Sequence, residues 1–278
     1  MKTKRAGLLI VVLMALSVVA CAQSRMEKTL PLQPGGEFVL QSDAGSVTVT
    51  GSSASGARIV ITSNREDIQS LFNFNFESSD GVVRVTARKK SFFSWFSNIN
   101  LHFDVTVPDR TRVSVKTGGG TIRVSSLQGE QNLNTSGGSI VASDVHGNVV
   151  ARTSGGSITA NSVDGSLDAN TSGGSIHIDG LTGHVSAHTS GGSIHATFAR
   201  GNSQGGELKT SGGSIRASVD PKANLNIDAS TSGGSVSSDL PLRVQGTISH
   251  SSVHGTLGSG GPTLLLHTSG GSIHISSN

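Results

Sequence analysis

The chain has 278 residues, of which 34% are hydrophobic, 4% aromatic and 14% charged, with 37 glycines and one cysteine. A single cysteine excludes an intrachain disulfide. Three of the 21 basic residues and none of the 18 acidic residues lie in the first 20 positions, so the rest of the chain holds 18 of each. This balance lacks the electrostatic footprint of a nucleic-acid-binding protein, and we expect no nucleic-acid partner.

Residues 1–20 have the pattern of a signal peptide. Three basic residues precede an apolar run that ends at Ala20 and is too short to span a membrane comfortably. The run continues as Val18–Cys21, which resembles the bacterial lipoprotein signal box, in which the cysteine becomes the lipidated first residue. We therefore expect export and a lipid anchor on Cys21 in the cell envelope. Ordinary cleavage after Ala22 remains the alternative.

The side of the envelope is indicated by the residue after the cysteine. Ala22 is not the aspartate that often marks retention in the inner membrane of enterobacteria. The sequence therefore favours the outer membrane or periplasm.

The region before the repeats predicts irregular β-structure. Residues 21–36 read as a polar tether, and residues 37–116 as first coils and a cap. Alternation of apolar and polar residues over Leu71–Phe76 and Leu101–Val107 is typical of half-buried strands. Eight of the nine phenylalanines and the only tryptophan lie in this part of the chain, where they can cover exposed strand edges. No helical period follows the signal, so we predict no helix.

Residues 117–278 are dominated by a repeat. A looser copy, Thr117–Thr121, stands one 18-residue step before the first full copy, and the last step of 37 residues is close to two repeats. A short fixed period indicates a repeat architecture. The Thr-Ser-Gly-Gly-Ser copies are Thr135–Ser139, Thr153–Ser157, Thr171–Ser175, Thr189–Ser193, Thr210–Ser214, Thr231–Ser235 and Thr268–Ser272.

Aligned units predict an all-β solenoid. Apolar residues recur in columns, such as Ile140, Ile158 and Ile176, and alternate with polar residues at the period of a strand. Each unit reads as two strands and two glycine-containing corners, and stacked units bury a thin continuous core. The inward threonines can form a hydroxyl ladder. A sandwich of β-hairpins remains the alternative. Near Leu240–Leu242 and Gly255–Pro262 the period breaks, and we expect an excursion before the last copy.

At this point the chain resembles the bacterial putative-adhesin family of β-strand repeats, also called toast-rack domains. The resemblance covers Glu37 to Ser276 and implies an exported or membrane-attached protein of unassigned function. The family has no assigned catalytic residues, so none is carried over to this chain, and we expect no cofactor. The residues that carry it are Gly45–Val49, Val105–Pro108, the Ser-Gly-Gly-Ser-Ile units, Asp239–Leu242, Gly258–Pro262 and Thr268–Ile273.

One segment matches a catalytic motif. Gly201–Gly205 fits G-x-S-x-G, which works when the serine stands on a strand-to-helix elbow. The segment lies in an expanded repeat with no helix after it, so we interpret it as a loop.

Three histidines suggest a metal site. His177 and His195 occupy equivalent positions in adjacent units, and His188 lies between them in the sequence. Three imidazoles can hold zinc or copper. The alternative is a solvated column, because other units carry Thr159, Arg216 or Ser237 at this position.

Residues Arg88–Phe96 form a basic and aromatic segment. Its candidate contact residues for a partner or a membrane surface are Phe92, Phe93, Trp95 and Phe96. The alternative is a hairpin tip that packs over the end of the solenoid.

These observations favour a non-enzymatic, lipid-anchored adhesion or interaction scaffold whose partner is an envelope protein or glycan. A carbohydrate-active enzyme on a β-helix is one alternative, but the converging carboxylates that such sites need are missing from the pattern. A structural protein that self-associates through its open coil edges is another.

Overall fold

A computed structural model describes residues 24–90, 99–244 and 249–278. Within these ranges the chain forms two large β-sheets, of 12 and 13 strands, and one helical turn. We call the sheet whose strands follow the glycine corners sheet A, and the sheet whose strands precede them sheet B. A rung is one sheet B strand, its corner and the next sheet A strand. No helix in these ranges is long and apolar enough to cross a membrane.

The N-terminal end is built from nine strands and the helical turn. The rung β2–β3 does not lie at the end of the stack, because β2 pairs in parallel with β6 and β8, and β3 pairs with β7 and β9. Antiparallel strands β1, β4 and β5 cover the outer side of this end. The elements are β1 (Ser24–Leu30), β2 (Glu37–Ser42), β3 (Ser46–Ser52), β4 (Ala57–Ser63), α1 (Ile68–Leu71), β5 (Phe72–Ser79), β6 (Val82–Lys89), β7 (Leu101–Pro108), β8 (Arg112–Thr117) and β9 (Ile122–Gln128).

Two predictions for this region are wrong. The expected tether of residues 21–36 contains β1, which pairs with β4 from Ser24 to Leu30, and Leu32 is fully buried. Only Met26 and Leu30 of β1 pack against the core, and they stand four places apart, so the strand leaves no alternating apolar pattern. Backbone hydrogen bonds to β4 hold this edge strand. The second error is the expected absence of helix, since α1 forms one turn between β4 and β5.

The repeats form the solenoid that the period predicts. Neighbouring strands in each sheet are parallel and in register at 18-residue steps, with Ile140 opposite Ile158 and Thr135 opposite Thr153. Parallel pairing excludes the sandwich of hairpins, because hairpin strands are antiparallel. The strands are β10 (Gln131–Thr135), β11 (Ile140–His146), β12 (Val149–Thr153), β13 (Ile158–Asp164), β14 (Leu167–Thr171), β15 (Ile176–Leu181), β16 (Val185–Thr189), β17 (Ile194–Phe198), β18 (Gly206–Thr210) and β19 (Ile215–Val219).

The core between the sheets is the predicted set of columns. Ile140, Ile158 and their equivalents are buried, as are the alanines two places on. Ser126, Asp144 and Ser162 have φ of 55°, 53° and 53°, in the left-handed region. The left-handed residue inserts one extra position in each of the strands β9, β11 and β13. The next apolar residue therefore points inward again, although it lies three places after the alanine.

The C-terminal end is interlocked. After β21 the chain adds β22 and β23 antiparallel to the edge of sheet B, which is the predicted excursion. It then returns as the rung β24–β25, which lies between the rungs β18–β19 and β20–β21. The 37-residue step is therefore not two stacked repeats. The strands are β20 (Leu225–Thr231), β21 (Val236–Ser238), β22 (Arg243–Val244), β23 (Ser252–Leu257), β24 (Thr263–Thr268) and β25 (Ile273–Ser277).

Candidate functional site: a polar groove beside the glycine corners

The glycine corners are held by the threonine that opens each copy. Thr171 is buried, and its hydroxyl donates to the carbonyl oxygen of Gly156 in the neighbouring rung at 2.8 Å. The backbone N–H of Gly174 donates to the same Thr171 oxygen at 3.3 Å. The expected ladder therefore exists, but each hydroxyl bonds a glycine carbonyl and not another threonine. Each inward threonine is satisfied in this way, so the corner rests on a polar but rigid wall.

The second glycine and the second serine are also fixed by the stacking. A Cβ on Gly174 would lie 2.1 Å from the carbonyl oxygen of Gly156, which no side chain can accept. Ser157 Oγ accepts the backbone N–H of Ser175 at 3.3 Å, so this serine links the outer edge of adjacent rungs. The first serine of each copy, such as Ser172, is exposed. Three residues of the motif, the threonine, the second glycine and the second serine, thus link adjacent rungs, and the first serine carries an exposed side chain.

A groove of about 410 Å³ runs along the corner on the sheet B side and crosses four rungs. Buried threonines form its floor, and two columns of polar side chains form its walls. Equivalent side chains repeat about every 4.8 Å along the solenoid axis. The walls are Asn134, Arg152, Asn170 and His188 on one side, and Ser136, Ser154, Ser172 and Ser190 on the other.

Carboxylates behind the first wall hold its side chains in place. Asp168 accepts hydrogen bonds from Arg152 and Asn170, and Glu207 contacts His188 Nε2 at 3.0 Å. The hydrogen bond from Lys209, together with that from His188, keeps the pKa of Glu207 below its usual range, so this carboxylate stays ionised at neutral pH. The groove therefore offers fixed donors and acceptors in an open channel, which suits an extended polar chain.

Sequence reasoning did not single out this groove. Its signal is present in the repeat, because the residue before each threonine and the serine after it are both polar in four successive units. Their meeting at one corner follows once the units are stacked in register.

The fold and the corner geometry agree with a comparison with known families. A model of the Toastrack DUF4097 family matches residues 39–276. The chain belongs to this family. The match spans the rungs from β2–β3 to the C-terminal rung β24–β25, and β1 lies outside it. A comparison with curated proteins found no match.

Solved structures are similar to this chain at low identity. A putative adhesin from Bacteroides fragilis has 12% identity, covers 91% of this chain and 97% of its own, and gives a TM-score of 0.54. A putative adhesin from Parabacteroides distasonis has 10% identity, with coverages of 91% and 97% and a TM-score of 0.41. A putative lipid binding protein from the same species has 12% identity, coverages of 91% and 96% and a TM-score of 0.45. At these identities the likeness concerns the fold alone.

The Toastrack topology separates the three histidines of the predicted metal site. His177 and His195 are neighbours on sheet A, with ring centroids 5.2 Å apart. His188 lies on β16 in sheet B, on the opposite face, where it contacts Glu207. The three-histidine interpretation is wrong, because consecutive strands of a unit belong to opposite sheets. Among the described residues, no group of three or more His, Cys, Asp or Glu side chains is placed to hold a metal.

The remaining predicted contact residues lie outside the described ranges. These are Cys21 and the aromatic residues Phe92, Phe93, Trp95 and Phe96. Lys89 and Ile99, which flank the aromatic segment, border a cleft of about 660 Å³ at the N-terminal end of the Toastrack solenoid. The cleft lies between the first corner at Asp43–Ser46 and the start of β7.

The segment Gly201–Gly205 is a loop between β17 and β18, as expected. Asn202 is buried, and its side-chain amide donates to the carbonyl oxygens of Leu181 and Gly183 at 2.7 and 3.1 Å. The loop substitutes for a regular corner of the Toastrack rung, and this structural role accounts for its polar residues.

Proposed function

We propose that this Toastrack protein is a non-enzymatic, exported envelope protein that acts as an interaction scaffold and is anchored by a lipid on Cys21. The groove beside the glycine corners carries the proposal, because four rungs present polar side chains, with a serine in each rung, at a constant spacing on a rigid support. A solved structure with this fold, from Bacteroides fragilis, is named a putative adhesin. Adhesion through repeated weak contacts suits such a surface.

The proposed partner is a polar polymer, with an envelope glycan favoured over a protein. In the described part of the chain, the one exposed large hydrophobic residue is Val244, at 36%. Protein interfaces usually depend on buried aromatic and aliphatic anchors, which this surface lacks. Hydroxyl, amide and guanidinium groups match the hydrogen-bonding capacity of sugars.

A lipid on Cys21 would place the N-terminal end of the solenoid at the membrane. Only Ala22 and Gln23 separate Cys21 from β1, and two residues span at most about 7 Å. Sheet A has 12 strands, so the rungs would project to about 50 Å from the bilayer. The signal sequence and Ala22 support the outer membrane or periplasm.

The aromatic segment is part of the same proposal. Phe92, Phe93, Trp95 and Phe96 follow β6 in the chain, at the end that the anchor would bring to the bilayer. We therefore infer that these residues contact the membrane interface or a partner close to it.

Two observations support this proposal over its alternatives. At the C-terminal end of the stack the edge strands β21 and β22 contain three and two residues, and such short edges disfavour pairing of this end with another coil. Asp168 and Asp164 are occupied by Arg152 and by Thr182 and His146, so they do not converge on a common site as glycosidase carboxylates do.

The groove is tested by blocking it. In a chain carrying Cys21→Ser, the change Ser172→Trp fills the groove, and we expect it to abolish co-sedimentation with purified envelope polysaccharide. Ser166→Trp is the matched control, since Ser166 is an exposed serine at the opposite corner of the same unit. Equal binding of both variants would contradict a role for the groove.

The anchor is tested by cell fractionation. The unmodified chain should partition with membranes and carry an acyl group, and Cys21→Ser should be released in soluble form. A Cys21→Ser protein that remains in the membrane fraction would contradict a lipid anchor.

The aromatic segment is tested by a double variant. Phe93→Ser with Trp95→Ser should lower binding of the anchored protein to envelope partners, and unchanged binding would show that these rings serve only as a cap.

A further inference from the structure

A second surface of the solenoid carries four basic or imidazole side chains in a row. His177, His195, Arg216 and His274 occupy equivalent outward positions on the adjacent strands β15, β17, β19 and β25. We call them the imidazole stripe. His274 joins the stripe only because the C-terminal rung is inserted next to β19. At about 4.8 Å per strand, the stripe extends over about 14 Å along the solenoid axis.

The stripe is exposed and has no wall at either end. His177, His195 and Arg216 are exposed, and His274 is half-buried. Its column continues with Thr159 on β13 and Ser237 on β21. The groove beside the glycine corners lies on sheet B, so the two surfaces face opposite sides of the flattened solenoid.

Few carboxylates face the stripe. On β15, Asp179 follows His177 by two places and attracts His195 electrostatically. Next to β25, Asp239 lies 3.4 Å from His274 Nε2, and Ser237 Oγ is 3.0 Å from His274 Nδ1. Beyond the end of β19, Asp220 accepts hydrogen bonds from the backbone N–H groups of Gly201 and Lys222.

The charged groups that act on Asp220 lie, like Asp220 itself, near the C-terminal end of β19. Arg200 and Lys222 both act on Asp220 electrostatically. This group is therefore separate from the start of β19, where Arg216 stands. On β13, β17 and β25 the positions two places after the stripe column are the uncharged Asn161, Thr197 and Ser276.

The local charge therefore changes sign with pH. When the imidazoles are neutral, the stripe and its two nearby carboxylates contain one positive group, Arg216, and two negative groups, Asp179 and Asp239, so their formal charge is −1. With three imidazolium groups it becomes +2. Like charges directly opposite on neighbouring strands destabilise a sheet, so the stripe does not serve stability in its charged form. An anionic ligand would remove that repulsion, and guanidinium and imidazolium groups bind carboxylates and phosphates through charge-assisted hydrogen bonds.

We propose that the imidazole stripe binds a linear polyanion, whose carboxylate or phosphate groups follow the solenoid axis, and that binding strengthens as the pH falls below neutrality. A row of point charges without an enclosing pocket selects an extended chain over a small anion, because only a chain can contact several positions together. This site is independent of both the lipid anchor and the groove.

The test uses the chain with Cys21→Ser and two probes, polygalacturonate for carboxylates and polyphosphate for phosphates, with neutral dextran as the control polymer. Affinity for at least one polyanion should rise about tenfold or more between about pH 8 and about pH 5.5, where histidine titrates. Dextran should not bind to the stripe at either pH. The probe that binds more tightly identifies the anionic group.

Matched variants separate the effect of the imidazole stripe on polyanion binding from the effect of the protein's overall charge. Replacing His177, His195 and His274 by asparagine should abolish the rise in affinity, and Arg216→Gln should weaken binding at both pH values. The control replaces the same number of histidines elsewhere, at His146, His184 and His254. Thermal melts confirm that each variant is folded. An equal loss in both triple variants, or no polyanion binding at either pH, would overturn the proposal without affecting the groove or the anchor.

Discussion

The hydroxyl of Thr268 donates to the carbonyl oxygen of Gly213 at 2.7 Å, although the two residues are 55 positions apart in the chain. The same bond joins residues 15 positions apart in the regular repeats. Thr231 in turn donates to Gly271 at 2.7 Å, which places the last copy between two earlier copies. The threonine-to-glycine bond thus marks which rungs are neighbours in space, whatever their order in the sequence.

Removing one of these hydroxyls should destabilise the solenoid. Thr171→Val keeps the shape of the side chain but leaves the Gly156 carbonyl and the Gly174 N–H without their bonds to Thr171 Oγ1. We expect a loss of about 1–3 kcal/mol in the free energy of unfolding, measured by chemical denaturation. Thr159→Val, at an outward position of sheet A, is the control and should change stability by less than about 0.5 kcal/mol. Equal effects would contradict the structural role of the corner threonine.

The two glycines of a corner should differ sharply in their tolerance of alanine. A Cβ on Gly174 would lie 2.1 Å from a backbone oxygen, whereas one on Gly173 would lie 3.4 Å from its nearest atom. Gly174→Ala should therefore cost about 3 kcal/mol or more, and Gly173→Ala less than about 1 kcal/mol. Melting temperatures of the two variants check this order, and a reversal would mean that the rungs are spaced differently.

The left-handed positions of β9, β11 and β13 should prefer glycine. Ser162 has φ of 53°, which a β-branched side chain resists. We expect Ser162→Val to be less stable than Ser162→Gly by about 1–3 kcal/mol. At Ser143, which precedes the left-handed position of its own strand, the order should invert because strands favour valine over glycine. Unfolding curves for the four variants test whether the order of stability of the valine and glycine variants inverts between the two positions.

Acid should destabilise the protein partly through His195. Partial desolvation of its imidazole by neighbouring strands, together with the nearby His177 and Arg216, lowers the pKa of His195 below the ordinary value of about 6.5. Protonation therefore favours the unfolded chain, and the stability present above pH 6.5 is lost as the pH falls below it.

The measurement is the melting temperature between about pH 7.5 and about pH 5. His195→Gln should show a shallower decline than the unmodified chain. His250→Gln, at an exposed residue outside the stripe, should follow the unmodified chain. Parallel curves for His195→Gln and the unmodified chain would contradict this account.

The sequence predicts the regular rungs well, because one 18-residue unit encodes its own strands, corners and inward columns. Ile158 and its equivalents are buried as expected. The interlocked ends could not be predicted, since the position of β24–β25 depends on which edges are free in space and not on the period. The strand β1 escaped detection because its only two apolar residues, Met26 and Leu30, are too few and too far apart to show the period of a strand.

The candidate sites also divide into residues whose positions the repeat predicts and residues whose neighbours depend on the interlocked ends. His188 could have been assigned to the opposite sheet, since Ala187 and Thr189 belong to the inward columns of the second strand of the unit. The neighbourhood of Arg216 and His274 could not, because their strands lie 58 residues apart in the chain.

The interlocked ends determine how a rod of this kind can change length during evolution. In an ordinary repeat array, tandem duplication can extend the chain at either terminus. Here the C-terminal rung β24–β25 occupies a slot inside the stack, so a unit added after the last copy would find both neighbouring edges already paired. Duplication within the evenly spaced copies from Thr135 to Thr189 avoids this conflict and lengthens the rod by about 4.8 Å per unit. Growth from the middle therefore preserves both ends unchanged.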